Sequence, residues 1–199
     1  MERARQDICH HVRNGFLVIR ALCEQARKGR LKTGEAFDKI EHRCREVESA
    51  LDAIHWDEAM RPEYIIIHHS LTQDRRTVSW GAIRRYHKGD LGWRDIGYHF
   101  GVELVDDHYE ILMGRFPNEE GAHCKQQSMN RHSVGVCCVG NFDVMPPPVE
   151  QYELCLKLTR YLMMLFAITP ERVLGHRELA EHKTCPGKMW NMDHFRGLL

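Results

Sequence analysis

What this 199-residue chain lacks narrows its reading first. Net charge is missing: 28 lysine and arginine residues balance 28 aspartate and glutamate residues. That balance gives no strongly basic surface, so no nucleic-acid partner is expected. Long apolar runs are missing from the N-terminal region as well. The longest there, Phe16 to Ile19, is cut by Arg20 and is too short for a signal peptide or a membrane span. Membrane insertion is therefore not expected, and synthesis should end in the cytoplasm. Without a secretory signal, the eight cysteines read as thiols of a reducing compartment rather than a disulfide framework. Repeats and low-complexity tracts are absent. The ordinary apolar content argues against wholesale disorder, and the length suffices for one sizeable core plus a small accessory unit.

Two kinds of pattern fill the chain. In the first, Ile8, Val12, Phe16, Ile19, Cys23 and Ala26 recur at three- and four-residue steps, and after Gly29 so do Phe37, Ile40, Cys44, Val47, Leu51 and Ile54. These spacings predict a helical hairpin over residues 1–58, with Thr33 as an N-cap of its second helix. Eleven basic and eleven acidic residues up to position 60 cancel there. Such a pair forms an antiparallel hairpin on its own, packs on the main domain, or mediates self-association. From Arg61-Pro62 the pattern changes to strands alternating with helices, which predicts a second domain over residues 59–199. Strands are expected at Tyr64–His68, Gly97–Leu104 and Ser133–Gly140. Tyr109–Met113 should pair with the second across Asp106-Asp107-His108. Helices are expected at Val78–His87 and at Glu150–Phe166, the latter burying Leu154, Leu158, Tyr161, Leu162 and Leu165. Asn118–His132 reads as a surface loop, and Cys137 and Cys138 as two small buried hydrophobes. The fold class is α/β, a mixed central sheet flanked by helices.

The chemistry concentrates in Gly175-His176-Arg177-Glu178 through Lys183-Thr184-Cys185-Pro186-Gly187. Imidazole and thiolate are both zinc ligands, and this segment is long enough to bring His176 and Cys185 to one ion. A third ligand has to come from elsewhere. Ile65-Ile66-Ile67-His68-His69-Ser70 delivers histidine at the end of an apolar strand, and because successive side chains point to opposite faces, only one of His68 and His69 can face the ion. Spacing alone leaves that choice open.

These segments, together with Gly92-Trp93-Arg94-Asp95-Ile96-Gly97-Tyr98-His99-Phe100, Gly121-Ala122-His123, Asn130, Ser133-Val134-Gly135-Val136 and Val139-Gly140-Asn141-Phe142, resemble the zinc-dependent N-acetylmuramoyl-L-alanine amidases. That family (amidase type 2) includes peptidoglycan recognition proteins and phage endolysins. The resemblance covers about residues 62–195. It implies the peptidoglycan-recognition-protein-like fold, Zn2+ as cofactor and peptidoglycan or muropeptide as substrate, cut between N-acetylmuramic acid and L-alanine. By the same resemblance His68, His176 and Cys185 are the metal ligands, leaving a fourth position for water as in catalytic zinc sites. Tyr98 and Lys183 are the catalytic side chains it implies. Lys183 stands two residues before Cys185, so in an extended segment both point the same way. His123 and Asn130 match positions near the substrate groove.

Trp93 and Arg94 suit a sugar ring and a carboxylate, and Trp80 joins them as a candidate groove wall; each also suits the core or the rim. His69, His99, His132 and His182 read as structural or supporting residues, and Glu178 as a residue that orients its loop. The recycling amidases of the family carry a glutamate base on the strand matching Gly135–Gly140. Cysteines stand there in this chain, so it resembles the phage-type enzymes more, and the resemblance leaves the general base unnamed. The leading expectation is a cell-wall lytic amidase of phage or prophage type, acting on the wall after release from the cytoplasm. The alternatives are a cytosolic muropeptide-recycling amidase and a non-catalytic peptidoglycan-binding or regulatory module.

Overall fold

The computed structural model describes residues 60–72 and 79–199, within a compact unit spanning Ala59–Leu199. The helical hairpin expected over residues 1–58 lies outside the described residues. Among the described residues five strands form one sheet in the order β3-β2-β4-β1-β5. They are β1 (Tyr64–His69), β2 (Phe100–Val105), β3 (His108–Met113), β4 (Ser133–Cys138) and β5 (Val173–Gly175). β2, β4, β1 and β5 run parallel, and β3 closes one edge antiparallel to β2. This is the mixed sheet that the order of elements predicts. β4, the continuous apolar run, lies in the middle with all six residues buried, as a strand covered on both faces must be.

Among the described residues five α-helices accompany the sheet: α1 (Trp80–Gly89), α2 (Met129–His132), α3 (Val149–Phe166), α4 (His176–Leu179) and α5 (Met192–Gly197). Ser79 caps α1 by accepting the Ala82 N–H at 3.2 Å, which satisfies one of the donors a helix start leaves open. α3 follows directly on the three prolines, which cannot themselves continue a helix. One face of the sheet packs on α3: Ile65, Ile67, Val102, Val134, Val136 and Cys138 meet Cys155, Leu156, Leu158 and Leu162. On the opposite face Trp80 and Ile83 of α1 pack with Ile96, Cys137 and Val139. Ile65, Ile66 and Ile67 have no exposed surface, and each such burial contributes about 1.5–3 kcal/mol.

Several boundaries differ from expectation for local reasons. β2 starts at Phe100 rather than Gly97, because Gly97 gives its N–H to the His87 imidazole and its carbonyl to Ala122 instead of to a neighbouring strand. The hairpin turn is shorter, since His108 already pairs with Val105, and Asp106 takes the left-handed conformation (φ 55°) that aspartate tolerates. On α3, Tyr161 and Leu165 face outward at 46% and 45% exposure, while Gln151 and Thr159 are fully buried. Their donor groups are paired, although the Gln151 Oε1 meets no partner among the described residues. Gln151 Nε2 donates to the Val102 and Val139 carbonyls at 2.9 Å each, and Thr159 donates to the Cys155 carbonyl at 2.8 Å. Asn118–His132 is more than a surface loop. It contains α2 and buries His123, Cys124 and Met129.

Candidate metal centre and active site

Strand alternation chooses between the two histidines. Ile65 and Ile67 point toward α3, so His69 follows them and His68 points to the opposite face. There His68 lies in register with Cys137. His69 stays in the core, where its Nδ1 accepts the Phe142 N–H at 3.2 Å. Register then supplies the second imidazole. β1 and β5 pair with Ile67 opposite Gly175, so the next residues, His68 and His176, emerge side by side with ring centroids 4.7 Å apart.

Cys185 arrives on a loop held by several hydrogen bonds. Arg177 gives its N–H to the Cys185 carbonyl at 2.7 Å and its guanidinium to the Gly187 and Trp190 carbonyls at 2.5 and 2.7 Å. Asp143 accepts from the Thr184 hydroxyl at 2.7 Å and the Lys188 N–H at 2.8 Å. Glu178 accepts the Gly175 N–H at 2.6 Å and pairs with Arg196 at 2.9 Å, which makes it a brace for the turn that carries His176.

The ligand atoms of His68, His176 and Cys185 all lie within 4.8 Å of one another. His68 Nδ1 is 3.5 Å from Cys185 Sγ. A tetrahedral zinc ion with Zn–N of about 2.0 Å and Zn–S of about 2.3 Å requires an N···S edge of about 3.5 Å, so this pair fits. His176 Nε2 is buried without a hydrogen-bond partner, a cost that coordination would remove. Burial holds His68 well below the ordinary histidine range, with His123 and His176 adding to the effect. Burial also brings His176 down to about 4, helped by the Lys183 and His182 charges. The same burial pushes the Cys185 thiol up to about 12, against the pull of the His69 N–H and the Lys183 charge. At neutral pH the metal-free group is therefore two neutral imidazoles and a thiol, and loading a cation would displace the thiol proton. Tyr98 borders this group with its ring 5.2 Å from that of His68. Its phenol is raised well above the ordinary tyrosine range by burial, then by Cys137 and Cys185.

The sequence pattern of N-acetylmuramoyl-L-alanine amidase matches residues 58–188. This chain belongs to that amidase family. The endolysin of Escherichia phage T7 is 33% identical over 136 residues, covering 63% of this chain and 83% of the endolysin. Peptidoglycan-recognition protein LB of Drosophila melanogaster is 32% identical over 132 residues, covering 62% of this chain and 54% of that protein. This chain thus spans about half the length of that recognition protein. Among solved structures, N-acetylmuramoyl-L-alanine amidase LysC from Clostridium intestinale URNW superposes with a TM-score of 0.60 at 27% identity, covering 69% of this chain and 85% of LysC.

The remaining residues singled out from the sequence take up distinct surroundings. Lys183 is exposed, and its charge is felt at both His176 and Cys185. His123 is buried, with Nδ1 3.0 Å from His68 Nε2. Asn130 spends its side-chain oxygen on the His123 and Cys124 N–H groups at 2.9 and 2.8 Å. Trp93 is half-buried with its ring 4.6 Å from that of His87. Arg94 is exposed and 3.7 Å from Glu119. Trp80 is a core residue, 5% exposed, its indole donating to the Met113 carbonyl at 3.2 Å.

Sequence reasoning missed one support of the site. Asp143 offered no signal, because an aspartate after Asn-Phe looks like any loop residue. His99, read from the sequence as a structural or supporting residue, is fully buried. Its Nδ1 accepts the Gly135 N–H at 2.9 Å, and its Nε2 donates to the Glu119 carbonyl at 2.9 Å.

Proposed function

We propose that this amidase-family protein hydrolyses the amide joining N-acetylmuramic acid to L-alanine of the peptidoglycan stem peptide, with a zinc ion held by His68, His176 and Cys185. The observation that carries the reading is the convergence within 4.8 Å of ligand atoms from the buried His68 and Cys185 and the half-buried His176. A closed structural site uses four protein ligands, whereas three suit catalysis. Zinc, when bound, supplies a Lewis acid that polarises the carbonyl under attack and acidifies water near neutrality.

The chain's own residues supply the rest. Tyr98 keeps its proton at neutral pH, as an ordinary phenol does and as burial reinforces, so it can donate a hydrogen bond to the oxygen that gains charge as the amide carbon becomes tetrahedral. A donor so aimed lowers the barrier by about 3 kcal/mol, on the order of a hundredfold in rate. Lys183 places an ammonium charge at the rim, where it favours the same negative oxygen and can deliver a proton to the leaving amine. In this reading Trp93 and Arg94 belong to the substrate groove, where the exposed Arg94 guanidinium would pair with a stem-peptide carboxylate.

Similarity to phage endolysins favours a lytic role on the cell wall after release from the cytoplasm. Similarity to peptidoglycan-recognition proteins favours a second reading, a binding module. Mass spectrometry of fragments released from purified cell wall, with zinc content measured beside it for the wild type and Cys185→Ala, separates the two. The amidase reading requires free muramic acid and L-alanine ends from the wild type alone. Binding without turnover in both proteins would leave only recognition. Activity on soluble anhydro-muropeptides but not on intact sacculi would move the role to recycling.

A further inference from the structure

Resting on the zinc-amidase reading, we infer that His123 is a positioning residue that locks the His68 imidazole in the tautomer whose bare Nδ1 faces Cys185 and the metal. His68 Nε2 and His123 Nδ1 are 3.0 Å apart, both side chains buried. One of these two nitrogens has to carry the hydrogen. His68 Nδ1 is the atom beside Cys185 Sγ, so a neutral His68 that offers Nδ1 to a cation must hold its proton on Nε2 and donate it to His123. His123 then carries its own proton on Nε2. That nitrogen is buried and meets no hydrogen-bond partner among the described residues, so this arrangement leaves one N–H unpaired.

The surroundings are shaped to keep the His123 ring in this place. A Cβ at Gly135 would come within 2.6 Å of His123 Cγ, and one at Gly121 within 2.5 Å of His123 Cδ2. Both are far inside contact distance, so the ring occupies a slot that only glycine leaves open on either side. Asn130 holds the His123 backbone from the third side through the N–H bond at 2.9 Å, and the Gly121 N–H returns to the Asn130 carbonyl at 2.8 Å. The acceptor's chemistry suits the task. Histidine ligands commonly give their second N–H to a carboxylate or carbonyl. A neutral imidazole fixes the tautomer equally well without placing a negative charge near the ion, which would blunt its pull on electrons.

The test uses the full chain. In metal-free, 15N-histidine-labelled wild type near neutral pH, long-range 15N–1H spectra should show His68 protonated at Nε2 and bare at Nδ1. A proton on Nδ1 overturns the lock. Zinc affinity is then measured by chelator competition. His123→Leu should bind zinc about 10- to 100-fold more weakly than the wild type, while His123→Asn, whose Oδ1 replaces Nδ1 as acceptor, should recover most of that loss. A folded Leu variant with wild-type affinity overturns the proposal, as does an Asn variant as weak as Leu. If His123→Leu does not fold, the wild-type tautomer and the Asn variant decide. A wild type that binds no zinc, with His68 still protonated at Nε2, would sink the zinc reading and not the lock.

Discussion

His68 and His69 are consecutive on β1 and both are buried, yet they belong to two different parts of the molecule. His69 enters the core beneath α3, where one hydrogen bond to the Phe142 N–H settles it among carbon. His68 enters the other face, where nitrogen, sulfur and phenol groups crowd together around Cys185, His176, His123 and Tyr98. Burial is therefore not what separates structural from functional histidines here. The opposing group decides: an ordinary backbone donor on one face, a set of imidazole, thiol and phenol groups on the other.

Breaking the site face should cost chemistry, and breaking the α3 face should cost stability. The largest effect is expected for Cys185→Ala, which should abolish zinc binding and lower turnover by about 10³-fold or more. Zinc analysis and muropeptide release check it, and a variant that keeps full activity would dissolve the distinction between the faces. Leu162→Ala, on the α3 face, should lose about 3 kcal/mol of folding stability through the cavity it leaves, with zinc affinity in the remaining folded protein unchanged. Denaturant titration beside zinc titration reads both. Tyr98→Phe should lower kcat about a hundredfold with zinc content and KM little changed. A rise in KM with kcat unchanged would make Tyr98 a substrate contact rather than a donor to the transition state.

A smaller effect concerns pH. Burial lowers His99 from 6.5 to about 4, with Arg115 and Arg94 contributing and the Glu119 carbonyl opposing. Its contribution to stability is fully present above pH 6.5 and is lost as pH falls toward 4, because the unfolded chain takes up a proton that folded His99 refuses. The slope is at most about 1.4 kcal/mol per pH unit for one histidine. His99→Asn keeps an acceptor for the Gly135 N–H and removes the titration, so stability measured between pH 7.5 and 5 should fall less steeply than in the wild type; an equal slope refutes the assignment. The smallest effect is expected for His69→Leu, about 1–3 kcal/mol of stability from the unpaired Phe142 N–H, with zinc affinity intact.

Much of this was legible from residue order. Ile65-Ile66-Ile67 read as a buried strand because β-branched residues suit a pleat covered on both sides. β4 and α3 were long and apolar enough to stand out, and the mixed sheet followed from their alternation. β5 was not legible: three residues, Val173–Gly175, carry no periodicity. Tyr161 and Leu165 were misplaced because apolar character alone assigns a helix face, whereas Gln151 and Thr159 took inward positions by finding partners. Trp80 suited either a groove or a core by composition, and its hydrogen bond to the Met113 carbonyl belongs to the core.

By itself the amino-acid sequence determined which chemical groups are available, imidazoles, one particular thiol, a phenol and an ammonium, and the local segments that carry them, since both depend on residue identity and short-range spacing. Only the tertiary structure decided which of two adjacent histidines meets Cys185, that His176 stands beside His68, and that His123 lies behind them. Those outcomes depend on strand register and on packing between residues 55 positions apart, as His68 and His123 are, or 117, as His68 and Cys185 are. Local periodicity carries no information about contacts at either separation.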